Sequence, residues 1–223
     1  MVKSVFDFIL FDVIGTTVKD NYNGNSLITD CFLRSFIKYG YMISYDKINQ
    51  KRGMSKREAI RDMLFESGHD PEMTDKIYNE FIGLLMKSVR FFSEMDEASK
   101  LFDYLKERYV KIGLGSGLPK EFLVEIINQV GWDMKKFGYI GSSDELGAGR
   151  PDPVMIRDSM NKLNIHDKSR VLKIGDSVAD IQEGKNAGVM TAAVLTGTQK
   201  KEELERSNPD YIFSDINELR KII

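Results

Sequence analysis

Four short segments of the chain carry residues suited to handling phosphate. "FDVIGTT" ends an apolar run on Asp12 and turns through Gly15 to Thr16. "GLGSG" delivers Ser116 and Gly117, "AGRPDP" holds Arg150, and "IGDSVADIQEG" carries Asp176 and, one helical turn on, Asp180. Singly, each has an ordinary alternative: Asp12 as a turn former, Ser116 as a helix cap, Arg150 as a surface cation, Asp180 as a solvated helix residue. Jointly they describe one carboxylate nucleophile, a hydroxyl with backbone donors, a fixed cation and a second carboxylate. Asp12 and Asp176 can share one hard cation such as Mg²⁺, which screens a substrate's negative charge. The position two residues after Asp12, where a second acid could do proton work, is Ile14.

These residues need strands that end side by side. Apolar runs at 5–12, 109–116, 137–143, 170–176 and 190–197 read as strands, with a weaker one in "DYIFSD". Helical patterns follow at 120–129, 151–163, "KKEELERS" and "INELRKII". The alternation predicts an α/β fold with a doubly wound, Rossmann-like parallel sheet, and such sheets bind ligands at the carboxyl ends of their strands. Between the first two strands the texture is helical. Ile28, Cys31, Phe32 and Phe36 form one apolar stripe, Ile60, Met63 and Leu64 a second, and Ile77, Phe81, Leu84 and Leu85 a third. Residues 17–92 are therefore expected to form an all-helical cap inserted into a core of residues 1–16 and 93–223, with hinges near 16–20 and 92–94.

Composition narrows the partners. A formal charge of −2 gives no basic field for nucleic acid. The N-terminal apolar run is broken by Asp7 and is too short to cross a membrane. A lone cysteine, Cys31, excludes an internal disulfide framework and suits a reducing cytoplasm; its place in an apolar stripe marks it as a small core residue. The expected partner is a small phosphonate or phosphate-bearing metabolite, and a homodimer is left open.

The four motifs, in this order and over essentially the whole chain, resemble the haloacid dehalogenase superfamily. The resemblance implies that Asp12 forms an aspartyl-phosphate and that Thr16, Ser116, Gly117 and Arg150 hold phosphate oxygens. It also implies that Asp176, Asp12 and the Ile14 carbonyl ligate Mg²⁺, with Asp180 supporting that metal directly or through a neighbour. Typical phosphatases of the superfamily have Asp at position 14, to protonate the leaving alcohol and later activate water. Of the two branches that lack this acid, the dehalogenases need no metal, which the pair Asp176 and Asp180 argues against. The other branch is phosphonatase-like, related to phosphonoacetaldehyde hydrolase. It matches "GTTV", the arginine in "AGRP", and "RGMSKREAI", which is similar to the family's Gly-x-x-Lys segment and places a Schiff-base lysine at Lys56. The chain departs from that branch at Ile14, where the family has Ala, and at Ala59, where it has His.

"SKRE", Ser55 to Glu58, reads as a capping box that puts Lys56 at the first helical position. There the helix dipole opposes its charge by roughly 0.3–1 kcal/mol. Arg57 adds like-charge repulsion, so Lys56 is expected to lean towards the free amine. The plain alternative is an exposed lysine that attracts phosphate. The reading is a Mg²⁺-dependent hydrolase that cleaves the P–C bond of a small phosphonate, with catalytic Asp12, Lys56 and Arg150. The alternatives are a phosphatase of a small phosphorylated metabolite, or a binding protein that has lost turnover.

Overall fold

The computed structural model describes residues 5–21 and 24–223. Its main sheet is built from β1 (Phe8–Asp12), β4 (Lys111–Ser116), β5 (Tyr139–Ser142), β6 (Val171–Gly175), β7 (Met190–Val194) and β8 (Tyr211–Phe213), in the order β5-β4-β1-β6-β7-β8 with every ladder parallel. All five residues of β1 are buried, as an unbroken apolar run between two helical layers requires. Asp12 pairs in register with Gly115, and Phe11 with Ile174. Asp12, Ser116 and Asp176 therefore leave the sheet at the same edge. Strands after β1 run outwards on both sides of it, which places the crevice at that strand's carboxyl end.

The helices on the core are α5 (Ala98–Glu107), α6 (Lys120–Gln129), α7 (Ser143–Leu146), α8 (Val154–Lys162), α9 (Val178–Ala187) and α10 (Lys201–Arg206). The sequence reading passes over α5, although Leu101, Phe102 and Leu105 are buried and the Phe102 ring meets Phe11 edge-on at 5.6 Å. Strand starts are later than expected. β1 opens at Phe8 rather than at residue 5, and β4 opens at Lys111, after the turn at Tyr109 with φ 60°. The final segment, Ile216–Lys221, is a 3₁₀ helix.

Between β2 (Val18–Lys19) and β3 (Ser93–Glu94) lie α1 (Leu27–Lys38), α2 (Tyr45–Gln50), α3 (Lys56–Glu66) and α4 (Thr74–Ser88). The three expected apolar stripes are buried apart from the half-buried Leu84, and Phe32 stacks on Phe81 at 4.4 Å. α2 is only six residues long and buries Ile48 alone, too little for a periodic signal. β2 and β3 pair antiparallel, so the two chain crossings between sheet and helical insertion form one short ribbon. Cys31 is buried, and burial pushes its thiol up to about 11. It is an inert core residue. Among the described residues no helix is long and apolar enough to cross a membrane.

Candidate active site

Asp12 is delivered by the last residue of β1. The loop after it turns at Gly15, with φ 95°, where a Cβ would collide with the Asp176 carboxylate. The loop is braced by the Thr17 hydroxyl on the Asp12 and Val13 carbonyls, and by Thr196 Oγ1 donating to the Gly15 carbonyl at 2.6 Å. Thr16, expected at phosphate, is fully buried, and its hydroxyl donates to Asp176 Oδ1 at 2.8 Å. Ser116 ends β4, Gly117 follows it, and both line the same cavity.

Arg150 is 1% exposed and reaches partners on β1, β4 and α9 at once. Nη1 donates to Asp12 Oδ1 at 2.5 Å, Nη2 to the Gly115 carbonyl at 2.7 Å, and Nε to Glu183 Oε2 at 3.0 Å. Nη1 also lies 2.9 Å from Asp180 Oδ1. Burial opposes the charge, but Asp180, Asp12 and Glu183 raise the guanidinium's pKa further, so it stays ionised. Beneath it, Lys173 is fully buried, with Nζ 2.8 Å from Asp180 Oδ1 and 3.4 Å from Glu183 Oε2. Asp180 also accepts from Ser177 Oγ. Burial alone would raise the Asp180 pKa; Arg150 and Lys173 hold it below the ordinary carboxylate value instead.

Asp176 is different. Among the described residues its only hydrogen-bond partner is Thr16, and it has no ion pair. Burial, then the charges of Asp12 and Asp180, raise its pKa to about 8. One carboxylate oxygen from each of Asp12, Asp176 and Asp180 lies within 4.8 Å of the others. A buried acidic group with one member short of a counter-charge fits a hard divalent cation. Without such an ion the folded chain holds a proton on Asp176 that the unfolded chain has lost, so stability falls as pH rises from about 4 to about 8. Mg²⁺ is expected to raise the melting temperature at pH 7 and to release close to one proton, roughly, on binding. Titration calorimetry in buffers of different ionisation heat measures that proton. Binding with no proton released, or unchanged in Asp176→Asn, removes Asp176 from the metal site.

The helical insertion closes over this edge. The loop between α2 and α3 presses on the core at Gly53, where φ is 82° and a Cβ would collide with Ser177. Tyr78 Oη donates to Asp144 at 2.5 Å, and Thr198 Oγ1 to Asn49 Oδ1 at 2.6 Å, on two sides of the closure. Lys56 opens α3 as expected, yet Ser55 makes no side-chain cap hydrogen bond, so the expected capping box is absent. The Lys56 side chain is buried, donates from Nζ to the Met54 carbonyl at 2.8 Å, and lines the cavity with Asp12 and Arg150. Its pKa falls to about 7 through burial first, then repulsion from Arg52 and Arg150, against the pull of Asp12 and Asp180. Arg57 is not the cause expected. It is exposed, paired with Asp75, and lies over the Tyr78 ring at 4.3 Å.

The sequence reading also leaves Arg52 unassigned. It is 5% exposed, donates to Asp20 Oδ2 at 2.6 Å, and forms part of the cavity wall. Lys173, a charge inside the central strand "VLKIG", carried a visible signal, because lysine is rarely buried without a partner. Ile14 and Ile28 supply apolar wall, and Ala59 is fully buried in the packing of α3.

The cavity beside Asp12 and Lys56 holds about 20 Å³, room for a water or one ion. A ligand larger than that is expected to enter by a swing of the helical insertion on its ribbon. Gly53→Ala is expected to lower kcat/KM by roughly 10²-fold by holding the lid ajar. Circular dichroism melts should show only a small loss, about 1 kcal/mol, for the strained backbone. Full activity in that variant would mean turnover without this closure.

Residues 9–194 match the family model for haloacid dehalogenase-like hydrolases. The chain is 28% identical over 229 residues to a phosphonoacetaldehyde hydrolase of Bacillus cereus, covering 95% of this chain and 86% of that one. A hydrolase from Pseudomonas syringae has the same fold, with a TM-score of 0.86 at 19% identity over 97% of this chain and 99% of that one. A phosphonoacetaldehyde hydrolase-like protein from Oleispira antarctica does too, with a TM-score of 0.85 at 18% identity over 100% and 93%. With the family model spanning most of a chain whose strand ends converge on Asp12, this protein belongs to the haloacid dehalogenase-like hydrolase family.

Proposed function

We propose that this hydrolase cleaves the P–C bond of a small phosphonate that carries a carbonyl group. The observation that carries the reading is Lys56: a buried amine, its pKa pushed down to about 7, in the same cavity as Asp12 and Arg150. In this reading residues 17–92 are the cap and residues 1–16 and 93–223 the catalytic core. Asp12, Asp176 and the Ile14 carbonyl would hold Mg²⁺, with Asp180 behind them fixing Arg150. The ion's chemistry is to neutralise charge on the phosphoryl oxygens and let an anionic nucleophile approach.

The chain's own residues do the rest. Ser116, the Gly117 amide and Arg150 bind the phosphoryl group, and Thr16 orients Asp176. The Lys56 amine adds to the carbonyl and water leaves, giving a protonated imine. An Asp12 oxygen attacks phosphorus, and the P–C electron pair moves into the iminium, giving an enamine and an aspartyl-phosphate. A proton from water reaches the enamine carbon. One water then hydrolyses the imine, freeing the carbonyl product and Lys56, and another hydrolyses the acyl-phosphate, freeing phosphate and Asp12. The departing group is carbon with an electron sink, so no acid is needed at position 14. Ile14 keeps the wall dry, where a second carboxylate could trap Lys56 as an ion pair.

The test is phosphate release, in Mg²⁺, from phosphonoacetaldehyde beside a panel of small phosphate esters. Release from the carbonyl phosphonate alone supports the proposal. Release from esters alone replaces it with a phosphatase, and release from neither, with retained binding, leaves the non-catalytic reading.

A further inference from the structure

Beyond its repulsion of Lys56, Arg52 has no role in the chemistry above, yet it is one of the two charged side chains that the segment 52–56 brings into the cavity; the other is Lys56. It is 5% exposed, and the carboxylates of Asp20, Asp176 and Asp12 keep it ionised against the cost of burial. Asp20, at the end of the hinge ribbon, is fully occupied. It accepts from Arg52 Nη2 at 2.6 Å, Ser26 Oγ at 2.7 Å and the Ile28 amide at 3.1 Å. Arg52 is not. Among the described residues its guanidinium makes one other hydrogen bond beyond Asp20, a long one from Nη1 to Ser26 Oγ at 3.5 Å, and it offers five N–H donors in a rigid fork.

The phosphoryl group belongs on the core floor with Asp12 and Arg150, so the leaving group faces the cap and meets Lys56 and Arg52 together. A formyl hydrogen would set an uncharged C–H against a buried guanidinium. A carboxylate on the same carbon would pair with the fork in two parallel hydrogen bonds. Resting on the P–C reading of the site, we infer that the substrate is a phosphonate whose carbonyl carbon also bears a carboxylate, a 2-oxo-3-phosphono acid. Lys56 takes the ketone and Arg52 the carboxylate. The electron flow is that given above: the P–C pair moves into the ketiminium, the enamine gains a proton from water, and a 2-oxo acid with a terminal methyl group leaves.

The experiment compares two unreactive ligands in saturating Mg²⁺ by calorimetry: 3-phosphonopropionate, which carries the carboxylate, and propylphosphonate, which does not. Wild type should bind the first roughly tenfold or more tightly, and Arg52→Met should bring the ratio close to one. Arg52→Lys should keep part of it and serves as the second variant where Arg52→Met does not fold. A wild-type ratio near one overturns the inference, and so does a ratio that survives in both variants. Turnover separates this from the reading it rests on. Cleavage of phosphonoacetaldehyde with no preference for 3-phosphonopyruvate leaves P–C hydrolysis standing and removes the carboxylate. A full binding ratio with no cleavage of either leaves Arg52 as the reader of a second anion and removes P–C hydrolysis.

Discussion

Lys56→Arg is expected to abolish P–C cleavage while the chain folds and binds phosphonate. The substitution keeps a cation at the first turn of α3, but a guanidinium does not add to a carbonyl. Without the imine there is no sink for the P–C electrons, and the loss should reach the background of the assay, roughly 10⁴-fold or more. The same amine sets the acid limb of the pH profile. Burial and the cations Arg52 and Arg150 bring Lys56 to about 7, and only the unprotonated amine attacks, so kcat/KM should rise with pH through about 7. Arg52→Met removes one of those cations and should move the limb to higher pH. Stopped phosphate assays across that range measure both effects. Turnover retained in Lys56→Arg reduces Lys56 to an attractor of phosphate.

The second large effect belongs to Arg150. Its fork joins Asp12, Asp180, Glu183 and the Gly115 carbonyl, and no other residue type reproduces that geometry. Arg150→Met leaves buried carboxylates without their counter-charge and should cost about 3–5 kcal/mol, read as a melting temperature lower by roughly 10 °C. Arg150→Lys keeps the charge but supplies a point instead of a plane. Asp12 would no longer be held against the phosphoryl group, and kcat/KM should fall by roughly 10²-fold with a smaller loss of stability. Wild-type kinetics in Arg150→Lys would mean that charge alone, not the fork, is required.

Much of this site is legible in the amino-acid sequence, for a physical reason. Apolar runs that end on Asp12, Ser116 and Asp176 belong to parallel strands, and parallel strands put their carboxyl ends on one edge. What stays hidden is set by contacts distant in sequence. Arg52 lies within the same short segment as Lys56, but its meaning comes from Asp20, thirty-two residues earlier. The low pKa of Lys56 follows from local sequence in direction only. The neighbour Arg57 turns outwards to Asp75, and burial with Arg52 and Arg150 lowers the pKa instead. Thr16 reads in sequence as a phosphate ligand close to Asp12, and its hydroxyl is instead on Asp176, one hundred and sixty residues away. Ile14 and Ala59, the two departures from the phosphonatase-like pattern, are both buried apolar residues.

P–C cleavage by this route depends on a covalent bond between Lys56 and a carbonyl-bearing phosphonate. Borohydride added to the protein, Mg²⁺ and phosphonoacetaldehyde or 3-phosphonopyruvate should reduce the imine to a stable secondary amine. Peptide mass spectrometry should find the added mass on Lys56 in wild type and on no residue in Lys56→Arg. A wild-type protein that releases phosphate from either compound, yet carries no adduct on Lys56 after borohydride, cleaves without an imine and Lys56 is not its electron sink.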